Sequence, residues 1–110
     1  MTINSKDKGK RGEREFASLL KKYGFDARRG QQYQGSPDSP DVVCDALPFH
    51  FEVKRIKQNL HLDKAIEQAK KDCGNNEPIV AYRKDHQKWF INIDAEYFLK
   101  NMCNHFKGEK

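Results

Sequence analysis

Apolar residues recur with the 3.6-residue period of an α-helix in three parts of the chain. They predict helices over residues 9–23, over residues 60–73, and after Asp94, which is a favourable N-cap. Gly24 and Gly74 follow the first two, as is common at helix ends. The buried stripes are expected to contain Phe16, Ala17, Leu20 and Tyr23 in the first helix, Leu62, Ala65, Ile66, Ala69 and Cys73 in the second, and Phe98, Leu99, Met102 and Phe106 in the last.

Five short segments rich in β-branched and aromatic residues predict strands between these helices. They cover residues 25–29, 41–44, 49–54, 79–83 and 89–93. The second and third are separated by a tight connection and should form a hairpin, with His50, Glu52 and Lys54 on one face of the third strand. The predicted order is one helix, three strands, a helix, two strands and a helix. This order indicates an α/β fold. A chain of 110 residues has room for one domain, and residues 1–8 are expected to form a flexible basic arm.

The composition excludes several classes of protein. The mean hydropathy is -0.99, and apolar stretches reach four residues at most, so no membrane span is expected. The N-terminus lacks the apolar region of a secretory signal, which indicates a cytoplasmic protein. Cys44, Cys73 and Cys103 are too far apart for a zinc site or a disulfide framework and are interpreted as small buried thiols.

The distribution of charge is more informative than the net charge of +5. Residues 31–53 contain four acidic residues and no Lys or Arg, whereas the segments before and after them carry net charges of +5 and +4. A positive surface attracts nucleic-acid phosphates, and an acidic pocket within it can hold a divalent cation. The pattern therefore favours a protein that brings a metal ion to a nucleic acid.

The first predicted helix carries an acid on its apolar side. At 100° per residue, Glu13 lies within about 40° of Ala17 and Leu20. Glu15 lies about 200° from Glu13, on the solvent side, and is expected to need no partner. A carboxylate on an apolar face is costly unless it is paired or bound to metal, so Glu13 is a candidate functional residue.

Three further candidates lie on the predicted hairpin. Asp41 begins one strand after Pro40, and Glu52 and Lys54 share a face of the next. Carboxylates are ligands for Mg²⁺, which polarises a phosphate and lowers the pKa of a bound water. A nearby lysine can stabilise charge at the phosphorus centre. These residue types favour metal-dependent hydrolysis of a phosphodiester bond, with Asp38 as a rival to Asp41.

Pro40-Asp41, followed after ten residues by Glu52-Val53-Lys54, is similar to the PD-(D/E)XK motif of restriction-endonuclease-like nucleases. With Lys10-Arg11-Gly12-Glu13-Arg14-Glu15 and Gly35-Ser36, it resembles archaeal-type Holliday-junction resolvases over about residues 8–57. The resemblance implies a mixed β-sheet flanked by helices in the order αβββαββα. It also implies cleavage of DNA that depends on Mg²⁺, for which Mn²⁺ should substitute, and a homodimer.

The same resemblance implies roles for individual residues. Glu13, Asp41 and Glu52, together with Val53, are expected to form the metal site, and Lys54 is expected to be the catalytic lysine. Gln68 corresponds to a glutamine that some branches of the superfamily place on the helix after the motif. The resemblance also makes Ser36 a residue of the active-site loop, expected to bind DNA. From their charge alone, eight basic residues are expected to contact DNA phosphates: Lys6, Lys8, Lys10, Arg11, Arg28, Arg29, Arg55 and Lys57.

Three questions stay open at this level. The loop over residues 31–40 is longer and less basic than in the resolvases, so a phage or bacterial nuclease of the same superfamily without junction preference is an alternative. The acids could also pair only with Lys and Arg in a non-catalytic nucleic-acid-binding module. The expected dimer interface is the face formed by the last two strands and the helix of Phe98.

Overall fold

The helices and strands follow one another in the predicted order, which confirms the α/β fold class. The structure, a computed structural model, describes residues 5–30, 40–56 and 61–107, and only the backbone of residues 5–9. The elements are α1 (Ser5–Lys22), β1 (Arg28–Arg29), β2 (Val42–Val43), β3 (Phe49–Ile56), α2 (Leu62–Asp72), β4 (Glu77–Lys84), β5 (Phe90–Asn92) and α3 (Ala95–Tyr97). A π-helical turn at Phe98–Met102 and a 3₁₀ turn at Asn104–Phe106 follow α3.

The described strands form one mixed sheet in the order β1-β2-β3-β4-β5. Only β3 and β4 pair in parallel, and α2 connects them, as a parallel pair requires a crossover. The predicted hairpin is confirmed, because β2 and β3 pair in antiparallel fashion with Val42 opposite Phe51. The side chains of the long central strand β3 alternate between the two faces of this sheet.

One helix covers each face of the sheet. Phe16 and Ala17 of α1 belong to the main core together with Phe51 and Val53 of β3, and the ring centroids of Phe16 and Phe51 are 5.2 Å apart. Ala65 and Ala69 of α2 pack with Val80 on the opposite face. Because Glu52 is the register partner of Val80, its side chain lies on the face that α2 covers.

Three boundaries differ from the sequence expectation. The helix α1 begins at Ser5, so the backbone of the predicted flexible arm is helical from that residue. The N–H of Phe25 donates to the Leu20 carbonyl (3.0 Å) and closes the end of α1, which leaves only Arg28 and Arg29 in β1. Tyr23 lies beyond the helix end and is 70% exposed, so its placement on the buried stripe was wrong.

The expected packing of the C-terminal segment was also wrong. Asp94 does cap a helix, accepting from the Tyr97 N–H (3.2 Å), but that helix has a single α-helical turn. The apolar side chains after it are between 37% and 76% exposed: Phe98, Leu99, Met102 and Phe106. No helix in the described part of the chain is long and apolar enough to cross a membrane.

Candidate active site

Asp41 is held at the start of β2 by backbone groups from two neighbouring segments. Its N–H donates to the Phe51 carbonyl (2.9 Å), and its carboxylate oxygen Oδ2 accepts from the Val53 N–H (2.8 Å). Its carbonyl accepts from the Gly30 N–H (2.9 Å). A Cβ on Gly30 would lie 1.8 Å from the Pro40 carbonyl oxygen, so only glycine permits this approach. These backbone contacts fix the position of the buried Asp41 carboxylate.

Glu52 lies on β3, next to the residue whose backbone binds Asp41. The Val53 N–H donates to the Asp41 carboxylate, and the charge of Asp41 acts on the neighbouring Glu52. Glu52 is buried, and burial together with the Asp41 charge raises the pKa of Glu52 to about 7. Lys54 opposes this shift, with its Nζ 3.4 Å from Glu52 Oε2 and its side chain 42% exposed. Two carboxylates and a lysine thus meet on one face of the hairpin.

Glu13 reaches the same region from α1. Burial is the largest cause of its raised pKa, with the Asp41 charge adding to it, whereas Arg29 and Lys54 lower it. Arg29 Nε donates to Glu13 Oε1 at 2.9 Å. The structure therefore brings Glu13 close to Asp41 and Lys54, and gives Arg29 a contact with an acid of the site.

Glu15 has two partners, contrary to the sequence expectation. Its oxygens accept from Arg55 Nη1 (2.5 Å) and Arg83 Nη1 (2.6 Å), and Arg55 Nη2 also donates to Asp85. A Cβ on Gly12 would lie 2.6 Å from Arg55 Cγ, so this glycine lets the arginine pass α1. The Arg55 side chain is only 10% exposed and is bound by two acids, which gives it a structural role, and its contact with DNA stays a prediction.

Sequence reasoning missed Asp72. This buried acid on α2 raises the pKa of Glu52 by its charge and accepts from Gln68 Nε2 (2.5 Å). The Gln68 and Asp72 spacing of four residues is a recognisable helix pair, but the sequence does not show that it faces Glu52. His50, on the same face of β3 as Glu52, is buried as well.

The other expected site residues are spread over the surface or lie outside the described residues. Lys10 and Arg11 are exposed on α1, and Arg28 is exposed with its Nη1 3.5 Å from Asp45. Val53 points into the core and offers only its backbone to the site. Lys57, Ser36 and Asp38 lie outside the described residues, as do the side chains of Lys6 and Lys8.

The donor set suits Mg²⁺. Within the described ranges no three His, Cys, Asp or Glu side chains are close enough to form a complete metal cage. Mg²⁺ usually needs only one or two carboxylates, with water and substrate phosphate completing its shell. Asp41 and Glu52 are two such carboxylates, close enough for burial and the Asp41 charge together to raise the pKa of Glu52, and the adjoining Val53 carbonyl and Glu13 could offer further oxygens.

The fold and the two strand carboxylates beside a lysine define the class of PD-(D/E)XK nucleases. A family model described as phage putative PDDEXK endonuclease matches residues 4–109, and the chain belongs to this family. No curated protein matches the chain.

A solved structure supports the same class. The chain is similar to Hjc, a Holliday junction resolvase from the archaeal hyperthermophile Archaeoglobus fulgidus, with 28% sequence identity and a TM-score of 0.57. The match covers 76% of this chain and 74% of Hjc. Both comparisons support endonuclease activity.

Proposed function

We propose that this chain is a Mg²⁺-dependent endodeoxyribonuclease that resolves four-way DNA junctions. The observation that carries the proposal is the contact of the buried Asp41 carboxylate with the Val53 N–H, between Glu52 and Lys54, whose Oε2 and Nζ atoms are 3.4 Å apart. The resemblance of the fold to a junction resolvase supports the choice of substrate. The positive net charge of +5 supports DNA as the partner.

The proposed reaction is the attack of water on the phosphorus, with cleavage of one P–O bond to a sugar oxygen. Mg²⁺ bound by Asp41, Glu52 and the Val53 carbonyl would activate this water and offset the charge that develops on the phosphate. The ammonium of Lys54 is part-exposed and can face the same phosphate, where it stabilises that charge. Glu13 keeps Arg29 directed towards the site.

A nuclease of the same class without junction preference is the second candidate. The family description favours it, since it names a phage endonuclease and no branched substrate. Both candidates share the catalytic residues and differ only in the DNA that they cut.

A homodimer completes the proposal, because symmetric resolution of a junction needs two active sites. The expected interface contains the exposed apolar side chains Phe90, Ile91, Phe98, Leu99, Met102 and Phe106. Exposed patches of this kind mark interaction surfaces, and a second copy would bury the patch symmetrically.

Cleavage of an end-labelled four-way junction tests the catalytic site. Wild-type protein should cut with Mg²⁺ or Mn²⁺ and stop when the metal is chelated. Asp41→Asn, Glu52→Gln and Lys54→Met should each lower the rate by about a hundredfold or more. The matched controls Asp45→Asn and Lys64→Met alter exposed side chains and should cut normally.

Circular dichroism and a DNA-binding assay show whether each variant is folded. If the wild-type protein binds the junction but does not cut it with any divalent metal, the proposal is overturned in favour of a non-catalytic binding module.

A further inference from the structure

An open groove of about 910 Å³ lies between α1 and the turn that joins β4 to β5. One wall is formed by the outward side of α1, and the other by residues 83 and 87–89. None of the residues proposed for catalysis lines it. The groove is therefore a second surface feature, separate from the candidate active site.

The groove and the catalytic acids lie on opposite sides of α1. At 100° per residue, Arg11, Glu15 and Lys22 all fall within about 20° of the direction opposite to Glu13. An α-helix with its side chains is about 10 Å across, so the groove cannot hold the phosphate that is cut. A ligand in the groove would be a different part of the substrate.

The groove is strongly cationic. Its basic lining residues are Arg11, Arg14, Lys22, Arg83 and Lys88, and its single acid is Glu15. Both oxygens of Glu15 are engaged by arginines, one of which is the nearly buried Arg55, so its charge is offset. Among the described residues, no carboxylate forms a salt bridge with Arg11, Arg14, Lys22 or Lys88. Four cationic side chains are thus available to an anion.

Aromatic side chains accompany these cations. Trp89 lines the groove and packs on Phe16 of the core, with ring centroids 5.3 Å apart. Tyr23 is largely exposed at the end of α1, and the Lys22 ammonium lies 5.9 Å from the centre of its ring. Cationic side chains that follow a groove and alternate with aromatic rings are typical of nucleic-acid-binding surfaces.

We propose that this groove binds the phosphate backbone of a DNA segment other than the one that is cut. This inference rests on the proposed function and deepens it, because a branched substrate presents a second backbone to the protein. Lys22 and Lys88, on the two walls, contact phosphates in this account, and Arg83 holds the turn against α1 through Glu15.

Trp89 is the only tryptophan of the chain, so its fluorescence reports directly on the groove. Unlabelled four-way junction is titrated into wild-type protein with chelator present, and fluorescence anisotropy of labelled junction follows total binding. We expect the Trp89 emission to change in parallel with the anisotropy. The double variant Lys22→Gln/Lys88→Gln should bind about tenfold more weakly. The slope of its log K against log[salt] should be less steep than that of wild type by about 2.

The control Lys64→Gln/Lys71→Gln removes the same charge from exposed positions on α2 that do not line the groove. It should bind more tightly than the groove variant. Equal losses in both variants, or an unchanged Trp89 emission while the anisotropy rises, overturn the inference.

Cleavage of the same junction by wild-type protein with Mg²⁺ is measured in parallel. If the wild-type protein cuts the junction and the groove variant binds it as tightly as wild type, only the inference about the groove is overturned. If the groove variant binds more weakly but the wild-type protein does not cut the junction, only the proposed enzymatic function is overturned.

Discussion

Gly30 is the residue on which the placement of Asp41 depends most directly. Its N–H holds the Asp41 carbonyl, and the space for a Cβ is taken by the Pro40 carbonyl oxygen. Gly12 also lacks this space, but its obstacle is a side-chain atom of Arg55. The two glycines therefore differ in whether the neighbour can move.

Gly30→Ala should lose about 3 kcal/mol of stability or more and most of the cleavage activity, because the backbone before Asp41 must shift. Gly12→Ala gains about 1 kcal/mol in helix propensity and loses a similar amount to the Arg55 contact, so it should stay within about 1 kcal/mol of wild type. Urea unfolding of both variants measures the difference. Equal destabilisation would contradict the proposed role of Gly30.

Glu52 makes stability depend on pH. Its pKa is raised from the ordinary 4.5 to about 7 in the folded protein, so the folded state binds more protons than the unfolded state between these values. The stabilisation that comes from protonated Glu52 is fully present below pH 4.5 and is lost as the pH rises through 7. Without metal, an ionised Glu52 costs about 3 kcal/mol above that window.

Glu52→Gln should therefore stabilise the metal-free protein at pH values above 7, with little gain near the ordinary pKa of 4.5. Urea unfolding in chelator on both sides of the window tests this difference. A gain of the same size at both pH values would show that ionisation of Glu52 is not its cause.

At the scale of elements, Glu15 joins α1 to β3 and β4 through Arg55 and Arg83. Removing a member of a partly buried ion network costs more than the loss of a surface pair, although Arg55 keeps Asp85 as a second acidic partner. The pair between Glu96 and Lys100 is the surface counterpart, with both side chains at least 75% exposed.

Glu15→Ala should destabilise the protein by about 1 to 2 kcal/mol, because Glu15 and Arg83 are part-exposed and Arg55 keeps Asp85 as a partner. Glu96→Ala should have no measurable effect. Thermal and urea unfolding measure both variants. A Glu15→Ala protein as stable as the Glu96→Ala control would contradict the structural role given to Arg55.

The sequence predicted the elements that follow from local pattern. The alternation in β3 gave the shared face of Glu52 and Lys54, and the helical phase of α1 gave the inward position of Glu13. It could not predict that Glu15 meets Arg55, because the two are forty residues apart and meet only when α1 packs on the sheet. Asp72 was missed for the same reason, since its proximity to Glu52 depends on how α2 crosses β3.

At the scale of the whole molecule, the C-terminal segment is the largest departure from expectation. Its apolar residues follow a helical pattern but lie exposed, and Phe90 and Ile91 of the edge strand β5 are also about half exposed. The pattern therefore indicates a surface that would be buried by another chain, in agreement with the proposed dimer.

Leu99→Glu should shift the protein from dimer to monomer, because it places a charge among Phe98, Met102 and their neighbours. Asn75→Glu adds the same charge in the exposed turn after α2 and should leave the dimer intact. Sedimentation velocity distinguishes the two states. A wild-type protein that is monomeric at all concentrations tested would remove the dimer from the account.

Resolution of a four-way DNA junction is the activity proposed for this chain. The most direct measurement is the cleavage of strand-specifically labelled four-way junction and of linear duplex with the same sequence, by wild-type protein with Mg²⁺. We expect paired nicks in two opposing strands of the junction and no comparable cutting of the duplex. Equal rates on both substrates would contradict junction selectivity and identify a nuclease without this preference.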